Sequence, residues 1–455
     1  MSAGSLTQGV ARLLAIPSDR LLRVFSISLP IIGAMLSQSI MNLVDAAIVG
    51  RLGDTALAGV GIGAYATFVM VSVVMGLSAA VQALVARRFG AGDTEGLTSP
   101  LYAGLQLAVL IGIPLALAFY CGAQHLIPLF NKSQQVLDIA IPYFEWRTIA
   151  IVAVGMNFVF RGFWNGIGEG RIYFRSLLTM HIANVLISYI LVFGVAGWEG
   201  MGAVGAGIGT TAAQILGTLL LCWQLFITHR KRFYHHSPTD FSAVRPLMRL
   251  ALPNSAQQTL FAVGNSILFW IIGQVGTEAQ AIGHILISLA LMMILPAVGL
   301  GMASTSLVGH ALGKGHAEDA YRWGWDVVKV ATLVMAVSAM PLWLFPEQVL
   351  RVFTPHEPLI SLGTLPLQVT GLAIALEVTA MVLTQALLGA GASRQVMRIN
   401  LTMQWFVLLP LAYIIGPIAG YGLLGIWLLQ SAQRITLSAI YGSIWKRRQW
   451  SRISL

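Results

Sequence analysis

Charged side chains are scarce in this chain, where they make up 10% of the 455 residues. A soluble globular protein carries about a quarter charged residues. Hydrophobic residues account for 57%, and the mean hydropathy is +0.78. The scarcity of charge excludes an ordinary soluble domain and predicts that most of the chain lies in lipid.

Cysteine is scarce, and neither a nucleotide-binding loop nor a cleavable leader is expected from the sequence. The two cysteines, Cys121 and Cys222, fall far apart in apolar segments, which excludes a disulfide framework and a cysteine-based metal motif. The short glycine motifs GAGD and GKGH have no strand before them, which excludes a phosphate loop. Residues 1–18 lack the compact apolar core of a signal peptide. We therefore expect no cofactor and no ATP binding, so that any work must be driven by an ion gradient.

Long apolar runs, in contrast, occur along the whole chain. Crossing a bilayer takes roughly 20 apolar residues, and about twelve segments reach that length. The sequence therefore predicts an all-α polytopic membrane protein with about twelve transmembrane helices. The predicted spans are 22–50, 57–86, 101–124, 139–167, 173–195, 203–228, 248–273, 279–311, 325–345, 362–388, 397–418 and 422–446.

The basic residues are distributed unevenly between the predicted loops. With a cytoplasmic N-terminus, the inner segments hold most of the arginine and lysine, whereas the outer loops hold little beyond Arg51, Lys132 and Arg351. This is the positive-inside pattern, which predicts a cell inner (plasma) membrane protein with both termini in the cytoplasm. The net charge of +10 is thus expected to face anionic lipid, and nucleic acid is not an expected partner.

The two halves of the chain repeat each other at an offset of 223 residues. This offset relates Pro30 to Pro253 and recurs at many glycines without a gap. It predicts two pseudo-symmetric six-helix lobes, 1–228 and 248–455, joined by a cytoplasmic linker at 229–247. Repeats of an even number of helices are related by an axis along the membrane normal, with the substrate site between or within them. Further pairs at this offset are Asn42 and Asn265, Gly76 and Gly299, Gly92 and Gly315, Gly166 and Gly389, and Gly168 and Gly391.

The first span carries a carboxylate, Asp45, close to its outer end. Gln38, Asn42 and Asp45 stand at positions i, i+4 and i+7, so they share one helix face. An ionisable residue at membrane depth is costly and indicates a functional site, although a hydrogen bond to a neighbouring helix is the simpler alternative. Burial penalises the ionised form of a carboxyl group, so such a group can exchange a proton and also attract an organic cation. Its repeat position is Leu268, so this carboxylate belongs to the first half alone.

Three segments carry a resemblance to a known family. They are NLVDAAIVGRLGDTALAGVGIG at 42–63, RRFGAGD at 87–93 and YFEWRTIAIVAVGMNFVFRGFWNGIGEGR at 143–171. These segments resemble the multidrug and toxic-compound extrusion (MATE) transporters, and within them the DinF-type branch. The resemblance implies a V-shaped, alternating-access antiporter that exports organic cations against an inward flow of protons or sodium ions.

The same resemblance implies roles for particular residues. Asp45 matches the first-helix carboxylate that couples ions to export, and Pro30 matches the proline at which that helix bends. Asn157, Asn184 and Thr210 match polar positions that line a cavity in the first lobe. The alternatives are an inert kink at Pro30 and ordinary hydrogen bonds between helices, worth about 0.6 kcal/mol each.

The chain also departs from the family pattern. Relatives often carry a second acid on the fifth helix, where this chain has Ser188, and His181 lies one turn before Asn184. We include both with Gln38 and Asn42 among the expected cavity residues. The seventh-helix glutamate of the sodium-coupled NorM-type branch is missing near 257–261. The partners expected are therefore small-molecule substrates, protons rather than sodium, and membrane lipids.

Two ionisable residues lie at depth in the second half. Glu377 and Arg434 each stand about 12 residues before the inner end of their predicted span, so we expect them to form a structural ion pair. Arg161, near the inner end of its span, is expected to extend its charge toward the headgroups. The other arginines are expected to be peripheral.

Two further functions remain as alternatives. A lipid-linked precursor flippase of the same superfamily would share the architecture but would need a cationic cavity. An intramembrane enzyme would need clustered carboxylates or histidines at the membrane surface, and no such cluster stands out. We expect a non-enzymatic transporter that acts as a monomer.

Overall fold

The computed structural model describes residues 3–195, 197–233, 243–353 and 356–453. Helices make up nearly all of this part of the chain, in agreement with the predicted all-α class. The first half contains α1 (Ala3–Leu14), α2 (Ser18–Gly50), α3 (Asp54–Ala91), α4 (Ser99–Leu126), α5 (Gln134–Ile149), α6 (Ile151–Gly166), α7 (Gly170–Phe193) and α8 (Gly202–Phe233). A two-stranded antiparallel hairpin, β1 (Gly194–Val195) with β2 (Trp198–Glu199), joins α7 to α8.

The second half continues the same pattern. It contains α9 (Val244–Val275), α10 (Thr277–Gly313), α11 (Ala317–Leu344), α12 (Pro346–Arg351), α13 (Glu357–Gly389), α14 (Ser393–Leu401), α15 (Leu409–Tyr413) and α16 (Gly422–Arg447). Two π-helical segments, Thr402–Leu408 and Ile414–Ile418, flank α15 and make one composite span with it and α14. The short helices α1 and α12 and the β-hairpin were not predicted from the sequence.

The described residues include ten helices that are long and apolar enough to cross a membrane, or eleven when α5 and α6 count as one bent span. The twelfth predicted span, 422–446, is the helix α16, but it falls outside that set. The polytopic all-helical fold predicted from hydropathy is therefore confirmed. The fourth predicted span, 139–167, differs from a straight helix because α5 and α6 meet at 51°.

The bend in this span lies at Ala150. Its amide donates to the carbonyl oxygen of Arg147, three residues back, so the regular four-residue ladder stops there. A helix that ends in this way leaves carbonyl groups of its last turn without a helical partner. The hydroxyl of Thr211, on α8, donates to the carbonyl oxygen of Trp146 at 3.0 Å. The neighbouring helix α8 therefore supports the bend, which lies three residues after Arg147.

The internal repeat is visible in the backbone and in the packing. Gly92 and Gly315 have φ angles of 72° and 78°, and both occupy the turn after the second helix of their repeat. A side chain added at Gly76 would meet the backbone of Ala251 on α9, whereas one added at Gly299 would meet Ile32 on α2. Both glycines thus allow close helix contact beside a repeat-related proline. The tandem repeat extends from the sequence into the helix packing.

The chain forms two compact units whose boundaries differ from the predicted lobes. One unit comprises Met1–Ile32 together with Leu260–Leu455, and the other comprises Gly33–Thr259. Both boundaries fall inside long helices, within α2 two residues after Pro30 and within α9. The division at 228 and 248 therefore describes the sequence repeat, and its role as a domain boundary stays a prediction.

Part of the predicted linker, 229–247, lies outside the described residues, namely 234–242. On either side of this gap, α8 continues to Phe233 and α9 begins at Val244. The described parts of the linker are therefore helical, apart from a turn at residue 243.

An ionic cluster holds the start of α2 in the first unit. The Nη1 atom of Arg20 lies 2.5 Å from an oxygen of Asp319, and its Nε lies 2.7 Å from an oxygen of Asp326. The same guanidinium sits 3.7 Å from the ring centroid of Trp323. All three partners are on α11, so Arg20 fixes the first turns of α2 to that helix.

Candidate functional site

Asp45 is bound by the side chain of Asn184, which lies on α7. The Asn184 amide nitrogen donates to both carboxylate oxygens, at 3.5 Å to Oδ1 and 3.3 Å to Oδ2. The hydroxyl of Ser188, one turn further along α7, donates to the Asn184 carbonyl oxygen at 2.8 Å. Since the hydroxyl occupies the oxygen end of the amide, the nitrogen end is directed at the carboxylate. The structure thus brings three predicted site residues into one hydrogen-bonded chain.

Ser188 does not border open space, which differs from its predicted place on a cavity wall. Its residue is 0% exposed, and a side chain added at Gly209 of α8 would come within 2.4 Å of its hydroxyl oxygen. The sequence of α8 begins GAVGAGIG, and glycines at this spacing let two helix backbones approach closely. The physical role of Ser188 is to orient Asn184 from within the α7–α8 contact.

Gln38 and Asn42 lie on α2 ahead of Asp45 and are exposed within the second unit. Their side chains bond to each other, with Gln38 Nε2 donating to Asn42 Oδ1 at 3.2 Å. The three-residue polar face predicted on this helix is therefore divided. Asp45 binds across to α7, whereas Gln38 and Asn42 pair along their own helix.

Asn157 and Thr210 are satisfied by backbone carbonyl groups. The buried Asn157 on α6 donates to the carbonyl oxygen of Gln214 at 3.5 Å, a long and weak contact. Thr210 is half-buried and donates to the carbonyl oxygen of Ala206, on its own helix, at 2.8 Å. Within the described residues, neither side chain forms a hydrogen bond with Asp45. Both remain candidates for the cavity wall on the strength of the resemblance alone.

His181 lies on α7 one turn before Asn184 and is 8% exposed. Its Nε2 atom is buried without a hydrogen-bond partner. The i, i+3 and i+7 spacing of His181, Asn184 and Ser188 predicts one shared helix face. A role for His181 in proton exchange stays a prediction.

Arg147 is a site residue absent from the predictions above. It lies on α5, half-buried, and is close enough for its charge to act on the carboxylate of Asp45 and on the hydroxyl of Tyr143. Its Nε and Nη1 atoms are buried without hydrogen-bond partners. The sequence does contain a signal for Arg147, since an arginine eight residues inside the predicted span 139–167 is itself an indication of function.

Arg161 also differs from its expected position. Instead of reaching the headgroups, its Nε donates to the hydroxyl of Ser78 on α3 at 2.9 Å, and its guanidinium stacks on the ring of Phe158. Arg147 and Arg161 therefore correct the expectation that the arginines of the first half are peripheral. For Arg161 the physical reason is that the hydroxyl of Ser78 and the ring of Phe158 hold its charge within the bundle.

Glu377 and Arg434 meet in the second half. The Nη1 atom of Arg434 on α16 donates to Oε2 of Glu377 on α13 at 3.0 Å. Glu377 is 3% exposed and Arg434 29%, so the pair is largely removed from solvent. Equal depth in the sequence predicted this pairing. A structural role for the pair stays a proposal.

Pro30, the expected hinge, lies inside the continuous helix α2. Within the described residues, no group of three or more His, Cys, Asp or Glu side chains is arranged to hold a metal ion. The candidate site accordingly consists of a carboxylate, its asparagine partner and a nearby arginine, surrounded by apolar helices.

Comparisons with known proteins agree with this architecture. The MatE family matches residues 30–190 and again residues 253–414, so its two matched segments follow the repeat. The probable multidrug resistance protein NorM of Thermotoga maritima is 25% identical over 439 residues, covering 94% of this chain and 93% of that protein. Multidrug resistance protein PmpM of Pseudomonas aeruginosa is 28% identical over 425 residues, covering 88% and 87%.

A solved structure extends the comparison to the fold. A multidrug resistance MATE family transporter of the MOP superfamily, in an outward-facing conformation, superposes with a TM-score of 0.88 at 20% identity. The match covers 95% of this chain and 96% of that one. With the family matched across both halves, this chain belongs to the MatE family of membrane transporters.

Proposed function

We propose that this protein is a secondary active antiporter that exports organic cations in exchange for protons by alternating access. Proton and cation compete for the carboxylate of Asp45. Bound substrate stabilises the ionised carboxylate, whereas a proton neutralises it and releases the cation. The relatives named above are multidrug resistance proteins, which supports a drug-like organic substrate.

The observation that carries this proposal is the environment of Asp45. The described residues give it one direct hydrogen-bond partner, the neutral amide of Asn184, and no ion pair within 4 Å. A carboxylate neutralised by a close arginine would have little attraction left for a substrate. Asp45 instead remains available to a proton or an organic cation.

The available ligands favour a proton over a sodium ion as the coupling ion. Sodium prefers several oxygen ligands, and α9 of this chain carries Gln257 in the region where sodium-coupled relatives have an acid. A single carboxylate suffices to carry a proton. We further propose that the protein resides in the cell inner membrane as a monomer, with both termini in the cytoplasm, and belongs to the DinF-type branch.

The flippase alternative has less support. A pyrophosphate-linked lipid carries several negative charges, whereas the interior of the first half combines Asp45 with arginines that are separately placed on α5 and α6. Both named relatives are drug-resistance proteins.

The test is transport in proteoliposomes with a fluorescent organic cation, the methyl ester of a rhodamine dye. A pH gradient alone should drive uphill movement of the dye, and a sodium gradient alone should not. Asp45→Asn should abolish the proton-driven movement. Asp54→Asn makes the same chemical change at the exposed start of α3 and should leave it intact. Sodium-driven uptake, or normal transport by Asp45→Asn, would contradict the proposal.

A further inference from the structure

A cleft of about 490 Å³ lies between α11, α13 and α16, and the proposed exchange of ions does not use it. Both α11 and α16 pack against α13. Gly442 of α16 leaves the space open, because a side chain added there would meet only the ring of Trp325 on α11, at 3.9 Å. The cleft is therefore a gap between two helices that share one neighbour.

Two basic residues at the end of α16, Lys446 and Arg447, line this cleft and are called the basic pair below. Both are exposed, and within the described residues neither side chain takes part in a hydrogen bond or an ion pair. The next residue, Arg448, has a φ angle of 57° and pairs with Glu318 of α11 at 2.5 Å. No acidic side chain is among the described residues that line the cleft. The basic pair thus supplies two positive charges that nothing nearby neutralises.

The last turn of α16 is fixed to α11, which fixes the basic pair as well. The indole nitrogen of Trp445 donates to the carbonyl oxygen of Tyr321 at 3.2 Å. The ring of Trp450 stacks on that of Trp445 with centroids 3.9 Å apart, and its indole nitrogen donates to the Trp445 carbonyl oxygen at 3.0 Å. Since the basic pair follows Trp445 directly, its two charges are presented at a defined place beside the cleft.

The wall of the cleft also offers hydroxyl groups. Thr379 of α13 and Ser443 of α16 line it, and within the described residues neither side chain makes a hydrogen bond. A hydroxyl group can donate one hydrogen bond and accept two. Together with the basic pair, these groups form a donor-rich surface suited to an anion with several oxygen atoms.

An exposed apolar stripe, formed by Leu372, Leu376 and Ile435, continues from the cleft. Helices α13 and α16 run in the same direction, since Arg434 contacts Glu377 and Ser438, one turn later, contacts the Ala380 amide. The stripe therefore lies on the side of the cleft opposite the basic pair. Its leucines are 57% and 58% exposed and its isoleucine 39%. On helices in a membrane, exposed side chains of this kind match the apolar character of lipid tails.

We propose that this cleft binds an anionic glycerophospholipid, whose phosphate contacts the basic pair and whose acyl chains lie on the apolar stripe. Charge-assisted hydrogen bonds from lysine and arginine to phosphate oxygens are strong, and basic pockets between membrane helices bind anionic lipid headgroups. A free phosphate ion would use the basic pair but would leave the stripe uncovered. The proposal is independent of the antiport proposed above.

The experiment measures lipid binding to the delipidated full-length protein in detergent by native mass spectrometry. The probes are dioleoylphosphatidylglycerol, which is anionic, and dioleoylphosphatidylcholine, which has the same acyl chains and no net charge. The wild type should bind the anionic lipid about tenfold or more tightly, as expected for two basic residues that face one phosphate. Arg447→Gln should weaken its binding about fivefold and leave the neutral lipid unchanged. Adding Lys446→Gln should remove the preference.

Arg448→Gln is the matched control, because it makes the same change at the adjacent residue, whose side chain is paired with Glu318. It should keep the preference for the anionic lipid. Gly442→Leu fills the cleft without changing any charge and should weaken binding of the anionic lipid.

Three results would overturn the proposal. They are equal wild-type affinities for the two lipids, equal losses in Arg447→Gln and Arg448→Gln, and an unchanged preference in a folded Gly442→Leu variant. Displacement of the lipid by millimolar inorganic phosphate would also contradict it, since the cleft would then recognise a free anion. Each readout is lipid binding, so a failure here leaves the test of the antiport untouched.

Discussion

The amide nitrogen of Asn184 faces Asp45 because the hydroxyl of Ser188 occupies the opposite end of the same amide. Donor distances of 3.3 and 3.5 Å to the two carboxylate oxygens make this a long contact, shared between two atoms. Such a contact can persist whether the carboxyl group is ionised or protonated. It therefore positions Asp45 without fixing its charge.

Asp45→Asn is expected to keep the fold and to lose the pH dependence of substrate binding. Asparagine preserves the shape of the side chain and permanently imitates its neutral form. A cationic substrate should bind the wild type more tightly as pH rises, because the carboxyl group loses its proton. The measurement is affinity against pH in detergent, with Asp54→Asn as control. A wild-type titration in the variant would place the proton elsewhere, with His181 the next candidate.

Gly209→Ala is expected to disturb the site through packing. The added methyl group would lie 2.4 Å from the Ser188 hydroxyl oxygen and 2.7 Å from its Cα, so α7 and α8 must separate. Overpacking of this kind typically costs about 1–3 kcal/mol. Gly61→Ala is the control, since nothing lies within 4 Å of its added methyl group. Thermal unfolding and dye affinity should fall for the first variant only, and equal behaviour of the two would refute the packing role.

Ser188→Asp is expected to be poorly tolerated, which follows from the burial of this position. The carboxylate would enter a contact with no free volume and would replace the donor that orients Asn184. We expect a lower folded yield, measured by size-exclusion chromatography, than for Ser188→Ala. A well-folded Ser188→Asp variant would show that α7 and α8 separate readily.

Breaking the Glu377–Arg434 pair should lower stability. Either alanine variant leaves one charge without its partner, and for a buried pair this costs about 3–5 kcal/mol. Exchanging the two residues should recover part of the folded yield. If both single variants are stable and the exchanged variant shows no recovery of folded yield, the pair has no structural role.

Arg20→Gln should destabilise the start of α2. It removes the cation from Asp326, whose side chain is 12% exposed, and the expected loss is on the order of 1–3 kcal/mol. Arg322→Gln provides the control, because its 3.5 Å pair with Glu318 is exposed on both sides. The melting temperature in detergent should fall for Arg20→Gln and stay nearly constant for Arg322→Gln.

The sequence predicted the features that depend on local chemistry. Hydropathy located the spans, and the offset between Pro30 and Pro253 revealed the repeat, because both signals are carried by residue type along the chain. The Glu377–Arg434 pairing followed from equal depth in the membrane. These inferences needed no knowledge of which helices touch.

Features that depend on helix packing could not be predicted from the sequence. The burial of Ser188 is set by Gly209 on another helix, and the interior position of Arg161 is set by Ser78 on α3. Arg147 came close to a carboxylate that lies about one hundred residues earlier in the chain. Pairwise helix contacts decide each of these cases, and single-sequence periodicity does not contain them.

The course of the chain through the two compact units has a consequence for assembly. Residues 1–32 belong with 260–455, so a fragment that ends in the polar linker carries part of both units and completes neither. Two fragments, 1–233 and 243–455, should each fail to fold when produced alone and should recover a folded particle when produced together. The two halves of the repeat are thus expected to depend on each other for folding, because each supplies part of the other's unit.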